Sequence, residues 1–222
     1  MIARLPSWAL HGGALLATVA GMVNAVGWLG LYHQAVTHMT GTATLLGIAA
    51  ARQDAGQVLH FGVMLVAFVA GCAASGFIVG DSTLRLGRRY GVALALESLL
   101  LFAAVPVLLA GHEGGLWLVA AAAGLQNAMA ATFSGAVVRT THMSGIITDL
   151  GTFLGQWARG DRVDRRRVTL YLALLGGFLV GGVLATWFWP TLTWTTLLIP
   201  AVLTGMVAAG YAVGQALRRR DL

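Results

Sequence analysis

The chain of 222 residues is 58% hydrophobic and only 10% charged, with a mean hydropathy of +0.79. Soluble domains are about 45–50% apolar and about 25% charged, so this composition excludes an aqueous globular domain and leaves the lipid bilayer as solvent. The formal charge of +6 comes from 14 Arg and no Lys; it fits Arg-rich cytoplasmic loops and gives no argument for nucleic acid.

A transmembrane helix needs about 20 apolar residues, and eight apolar stretches follow one another along the chain: 8–31, 36–51, 58–79, 91–110, 116–133, 137–157, 168–189 and 192–217. The opening Met1-Ile-Ala-Arg-Leu-Pro resembles a signal peptide. Its apolar run continues to Tyr32, which makes it a retained first span. The second stretch is short and opens on Thr37-His38-Met39-Thr40-Gly41. The sixth contains Arg139, His142 and Asp149, an expensive load for a helix facing lipid. A single cysteine, Cys72, excludes an internal disulfide framework and a cysteine-held metal cluster.

Two halves of the chain repeat one another. Thr37-His38-Met39-Thr40-Gly41 recurs as Thr141-His142-Met143-Ser144-Gly145, and Leu46-Gly47 as Leu150-Gly151. Upstream, Gly21-Met22-Val23-Asn24-Ala25 recurs as Gly124-Leu125-Gln126-Asn127-Ala128; downstream, Phe68-Val69-Ala70-Gly71 matches Phe178-Leu179-Val180-Gly181. Matches in the same order define a single membrane domain over 1–222, with repeats near 8–111 and 115–217.

Arginine placement separates parallel from inverted repeats. If all eight stretches cross, Arg85, Arg88, Arg89 and Arg139 fall on the outer side. If the two Thr-His-Met stretches are re-entrant, each repeat has three crossings, the second is inverted, and only Arg52 of the 14 lies outside. The expectation is an all-α integral membrane protein with two inverted repeats, six transmembrane helices and two re-entrant half-helices. Both termini then face the cytoplasm of a bacterial inner membrane. Trp8, Trp28, Trp117, Trp157, Trp187, Trp189 and Trp194 all fall near segment ends, where aromatic belts form.

In that arrangement Thr40 and Ser144 cap the returning helices, and Gly41 and Gly145 allow close backbone approach. Two helix N-termini, each with unpaired N–H groups and about half a positive charge, meet near the midplane. The expected substrate site is lined by Thr37, His38, Thr40 and Gly41 from one motif and Thr141, His142, Ser144 and Gly145 from the other. Asn24, Gln126 and Asn127 flank it from adjacent spans, where interhelical hydrogen bonding is their alternative role.

Asp149 and Glu97 are the acids within apolar stretches and the candidates for proton coupling. Glu97 is also placed to pair with Arg88 or Arg89 at the cytoplasmic edge. The pairs Gly76/Gly80, Gly177/Gly181 and Gly210/Gly214 have the spacing of close helix contacts. His11, His33, His60 and His112 lie near segment ends, at the interface.

No metal shell, cofactor fingerprint or activated nucleophile is visible, so no metal, cofactor or enzymatic activity is expected. A transporter or channel for a small anion or polar solute is favoured, because transporters place their sites between repeats with broken helices. A membrane-embedded scaffold or regulatory subunit comes next, then an intramembrane enzyme. The partners are the bilayer and the small solute, with a homo-oligomer possible.

From Gly21 through Gly47, and again at Gly124–Ala128, Thr141–Gly145 and Thr148-Asp149-Leu150-Gly151, the chain resembles the YoaK-like family of bacterial integral membrane proteins. The family often has Asp where this chain has Asn24, and Asn where it has Thr42. The resemblance implies a bacterial inner-membrane protein and gives no substrate.

Overall fold

A computed structural model of the chain describes residues 7–30, 33, 35–80, 88–134 and 140–218. Arg4, Arg85, Arg139, Arg219, Arg220 and Tyr32, on which parts of the topology reading rest, lie outside the described residues. Those described are all-α: α1 Ser7–Leu29, α2 Met39–Ala51, α3 Ala55–Val79, α4 Arg88–Leu109, α5 Gly114–Ser134, α6 Met143–Ala158, α7 Arg165–Leu192, a 3-10 turn Thr193–Leu197, and α8 Leu198–Arg218.

Local chemistry sets several of these boundaries. Asp54 caps α3 by accepting from the Gln57 N–H at 3.0 Å, and Asp164 caps α7 by accepting from the Arg166 N–H at 3.0 Å. Gly160 follows α6 with φ of +84°, a left-handed conformation that reverses the chain and favours glycine. The eighth apolar stretch does not start its helix at residue 192. Thr193 breaks the path with φ of +47°, and α8 begins only after the 3-10 turn.

Five helical stretches are long and apolar enough to cross a membrane: Leu10–Leu29, Ala55–Val79, Arg89–Leu109, Gly114–Ser134 and Arg165–Gly214. The last runs through α7, the 3-10 turn and α8. The chain is thus a multi-pass membrane protein. Its outward-facing side chains agree, since Phe77 is 91% exposed, Trp187 76% and Val66 68%. Apolar residues turned outward on this scale require an apolar solvent.

The long helices alternate in direction. One core joins Val26 of α1, Leu108 of α4 and Ala185 of α7 to Met64 of α3, Leu116 of α5 and Ala201 of α8. These are C-terminal portions of the first three helices and N-terminal portions of the others. At the opposite end, Val79 of α3, Met129 of α5 and Ala208 of α8 pack with Tyr90 and Leu94 at the start of α4. A third cluster, with Ala17 of α1, Leu170 and Leu174 of α7 and Ile146 of α6, lies at the N-terminal ends of α1 and α7. The short helices sit to the side, α2 against α3 and α6 against α7. At 1.5 Å per residue, α2 is about 20 Å long and α6 about 24 Å, short of a hydrocarbon core of about 30 Å.

The closest packing joins α1 to α7 and α3 to α5, and both contacts use the same device. A Cβ on Gly21 would strike the Phe178 carbonyl oxygen, and one on Gly181 the Thr18 carbonyl oxygen. In the other pair, a Cβ on Gly124 would strike the Phe68 carbonyl oxygen, and one on Gly71 that of Ala121. Of the three glycine pairs expected from spacing, only Gly177/Gly181 makes such contacts. Gly76, Gly210 and Gly214 face open space, and Gly80 serves the end of α3 with φ of +62°. Spacing marks a small-residue stripe, but not which way the stripe points.

Candidate solute site

The segment between α1 and α2 folds back into the bundle rather than staying at its end. Thr37 is buried beside α1, where its backbone N–H and hydroxyl both donate to Asn24 Oδ1, at 3.2 and 2.7 Å. Two bonds to one amide oxygen hold the non-helical backbone at the depth of Asn24, about 8 Å inside the end of α1. The segment before α6 is tied differently. The buried amide nitrogen of Gln126 donates to Thr140 Oγ1 at 3.2 Å and to the Leu16 carbonyl of α1 at 2.7 Å.

These two anchored segments meet at an enclosed void of about 210 Å³, lined by Thr37, Thr141, Glu97, Gln126, Leu101 and small residues of α1 and α5. Its space is so finely divided that no water-sized sphere fits, so the site is occluded in this structure. Glu97 of α4 is 1% exposed, and its Oε2 has no hydrogen-bond partner. The expectation that Glu97 pairs with Arg88 or Arg89 at the membrane edge is therefore corrected. Nine residues after the start of α4, it sits about 13 Å along the helix, well inside the bundle. That arithmetic was available from the sequence alone.

The residues expected in the site divide into three groups. Thr37, Thr141 and Gln126 line the void, and Asn24 fixes Thr37 from behind. His38 and His142 are exposed and lie outside the lining; they, not Thr40 and Ser144, occupy the N-cap positions of α2 and α6. Neither makes a side-chain cap bond. Each ring instead folds over the glycine three residues on: a Cβ at Gly41 would sit 2.7 Å from His38 Cδ2, and one at Gly145 2.6 Å from His142 Cε1. Thr40 and Ser144 stand exposed in the first helical turn. Asn127 is half-buried, with an Oδ1 that accepts no hydrogen bond.

Asp149 is the seventh residue of α6, past the turn where a helix dipole acts strongly, and it lies beside Tyr171 of α7. His60, expected at the interface, is 6% exposed, and its Nδ1 lies 2.6 Å from Glu113 Oε2. That pair ties the start of α3 to the turn between α4 and α5.

Chemically, the void is rich in acceptors. The Thr37 hydroxyl hydrogen is engaged by Asn24 and both amide hydrogens of Gln126 are engaged, while Glu97 Oε2 is open. Thr37 and Thr141 each stand two residues before a helix. The partial positive charge of those N-termini favours a negative charge nearby, and the Glu97 carboxyl already provides the group to carry one. Among the described residues no group of three or more His, Cys, Asp or Glu is arranged to hold a metal ion.

A family model described as "Protein of unknown function (DUF1275)" matches residues 12–210. The chain is also similar to the UPF0700 transmembrane protein YoaK of Bacillus subtilis (strain 168), with 33% identity over 90 residues. That match covers 40% of this chain and 40% of the relative. No solved structure matches.

Proposed function

The chain belongs to the DUF1275 family, and we propose that it carries a small polar solute across a bacterial inner membrane through the void between its two Thr-His-Met motifs. The observation that carries this reading is the convergence of Thr37 and Thr141, from two separately anchored segments, on one buried void with Glu97 and Gln126. A core built only for stability gains from apolar filling, whereas an unpartnered buried carboxyl costs solvation free energy.

The proposal includes two inverted repeats of three crossings and one re-entrant half-helix each. Three observations support it. The C-terminal part of α1 and the N-terminal part of α3 share one end of the bundle, so the intervening α2 returns to the side it came from. The C-terminal part of α5 shares the other end with α3 and α8, and α7 begins beside the N-terminal part of α1. Finally, the contact of Gly21 with Phe178 and of Gly181 with Thr18 has its counterpart in Gly124 with Phe68 and Gly71 with Ala121. The repeated sequence segments make equivalent contacts with each other's repeat. Arg52 then lies outside, and the termini lie inside.

Sealed vesicles containing the purified protein should take up at least one member of a panel of labelled cationic, neutral and anionic polar solutes. The double variant Thr37→Val, Thr141→Val keeps the side-chain shape and removes both hydroxyls. It should stay folded and lose at least about tenfold in uptake, the order expected when a site loses hydrogen bonds worth about 1.4 kcal/mol in total. Uptake that is absent across the panel, or undiminished in the folded double variant, contradicts the proposal.

A further inference from the structure

The lining of the void suggests which solute it takes and what drives it. We propose that Glu97 binds either a proton or a small cationic hydrogen-bond donor, such as an alkylammonium or guanidinium group, and that the protein exchanges one for the other. This deepens the carrier reading and rests on it.

The geometry carries three steps of the inference. First, Glu97 Oε2 is buried, unpartnered and directed at the void, so whatever enters meets an open acceptor. Second, the neighbouring donors are committed, Thr37 to Asn24 and the Gln126 amide to Leu16 and Thr140. A solute that donates hydrogen bonds finds partners there, whereas an anion meets a carboxyl and few free donors. Third, no cationic side chain lines the void. An ionised Glu97 therefore needs its counter-charge from outside, as a proton or as a bound cation.

The surrounding elements offer no competing titration in the void. Around it α1 contributes Ala20 and Val23, α4 Leu101, and α5 Ala122, Ala123 and Gln126. Of the other helices packed on α4, α8 carries Tyr211, which touches Gly91 six residues before Glu97. The titratable groups of α3 are engaged elsewhere, His60 with Glu113 and Cys72 with the Gly124 carbonyl. The exchange balances: a protonated Glu97 and a free cation give a Glu97 carboxylate holding the cation, plus one proton released to solvent. No other reactant is required.

The test uses the purified full chain in weakly buffered detergent solution, with a pH indicator reporting proton release between about pH 5 and 9. Methylammonium and guanidinium chloride at millimolar concentration are the probes, with sodium chloride and sodium acetate as comparisons. One of the two cations should release up to about one proton per chain at its maximum, and neither sodium salt should do so. In Glu97→Gln the release should vanish while helicity and monodispersity persist. In Glu97→Asp it should persist with a displaced pH profile.

No release from either cation in the wild-type protein, release undiminished in Glu97→Gln, or equal release by sodium overturns the proposal. Vesicle uptake separates this result from the carrier reading. Uptake of an anionic or neutral solute that survives Glu97→Gln keeps the carrier and overturns the proton exchange.

Discussion

Alanine at Gly21, Gly71, Gly124 or Gly181 should sharply reduce the amount of folded protein. In each case the added methyl meets a carbonyl oxygen of the facing helix, and backbone yields less readily than the end of a side chain. The helices must separate, which loses packing along the whole contact. Overpacking of a tight interface typically costs about 1–3 kcal/mol and occasionally more, a large share of the 5–15 kcal/mol that holds a typical domain together. The measurement is the thermal midpoint and monodisperse yield in detergent. Gly76→Ala and Gly176→Ala are the internal comparison, because a Cβ at either site meets nothing within 4 Å. There the change should be neutral or slightly stabilising, by up to about 1 kcal/mol of helix propensity. Equal damage at both sets of positions would mean that these contacts do not hold the bundle together.

Replacing Asn24 by Leu should detach the first motif from α1. Thr37 would lose the acceptor for both its backbone N–H and its hydroxyl. Leaving buried donors unsatisfied costs about 1–3 kcal/mol each, so the expected destabilisation is roughly 2–4 kcal/mol. Solute uptake should fall with it, because Thr37 forms one wall of the void. Asn24→Asp retains an acceptor at the same place and should restore most of the stability. The same logic accounts for the Asp that the resembling family often carries there: an acceptor for the motif backbone serves whether or not it is charged. If Asn24→Leu matches the wild-type protein in thermal midpoint and uptake, Thr37 is held by something other than Asn24.

Much of this arrangement was legible in the sequence, because the repeated segments carry backbone requirements. The matched stretches at 21 and 124, at 37 and 141, and at 68–71 and 178–181 are where the chain approaches itself most closely or leaves the helical path. A residue needed for such an approach has few substitutes, so it survives in both copies. What failed was orientation about the helix axis. In apolar helices solvated by lipid, hydropathy no longer distinguishes the inward face, so Gly76 and Gly210 could not be told from Gly71 and Gly181. The histidines were misread for a related reason. Their motif position was plain, but whether the ring points into the void or over the next turn depends on rotamer and backbone. In the structure the ring covers Gly41 or Gly145. Glu97 was underrated because it has no counterpart in the second repeat, although its depth along α4 followed from counting.

The central claim is that the two motifs enter the membrane from opposite faces and meet at the void. The most direct measurement is the sidedness of the turns after α2 and α6. Single cysteines at Asp54 and Arg162, in a background where Cys72→Ser keeps the donor to the Gly124 carbonyl, are exposed to a membrane-impermeant thiol reagent in intact cells and in inverted vesicles. The half-helix arrangement predicts labelling of position 54 from the periplasmic face only and of position 162 from the cytoplasmic face only. Eight full crossings would put both positions on one face, and labelling of both from the same side would contradict the architecture on which the site depends.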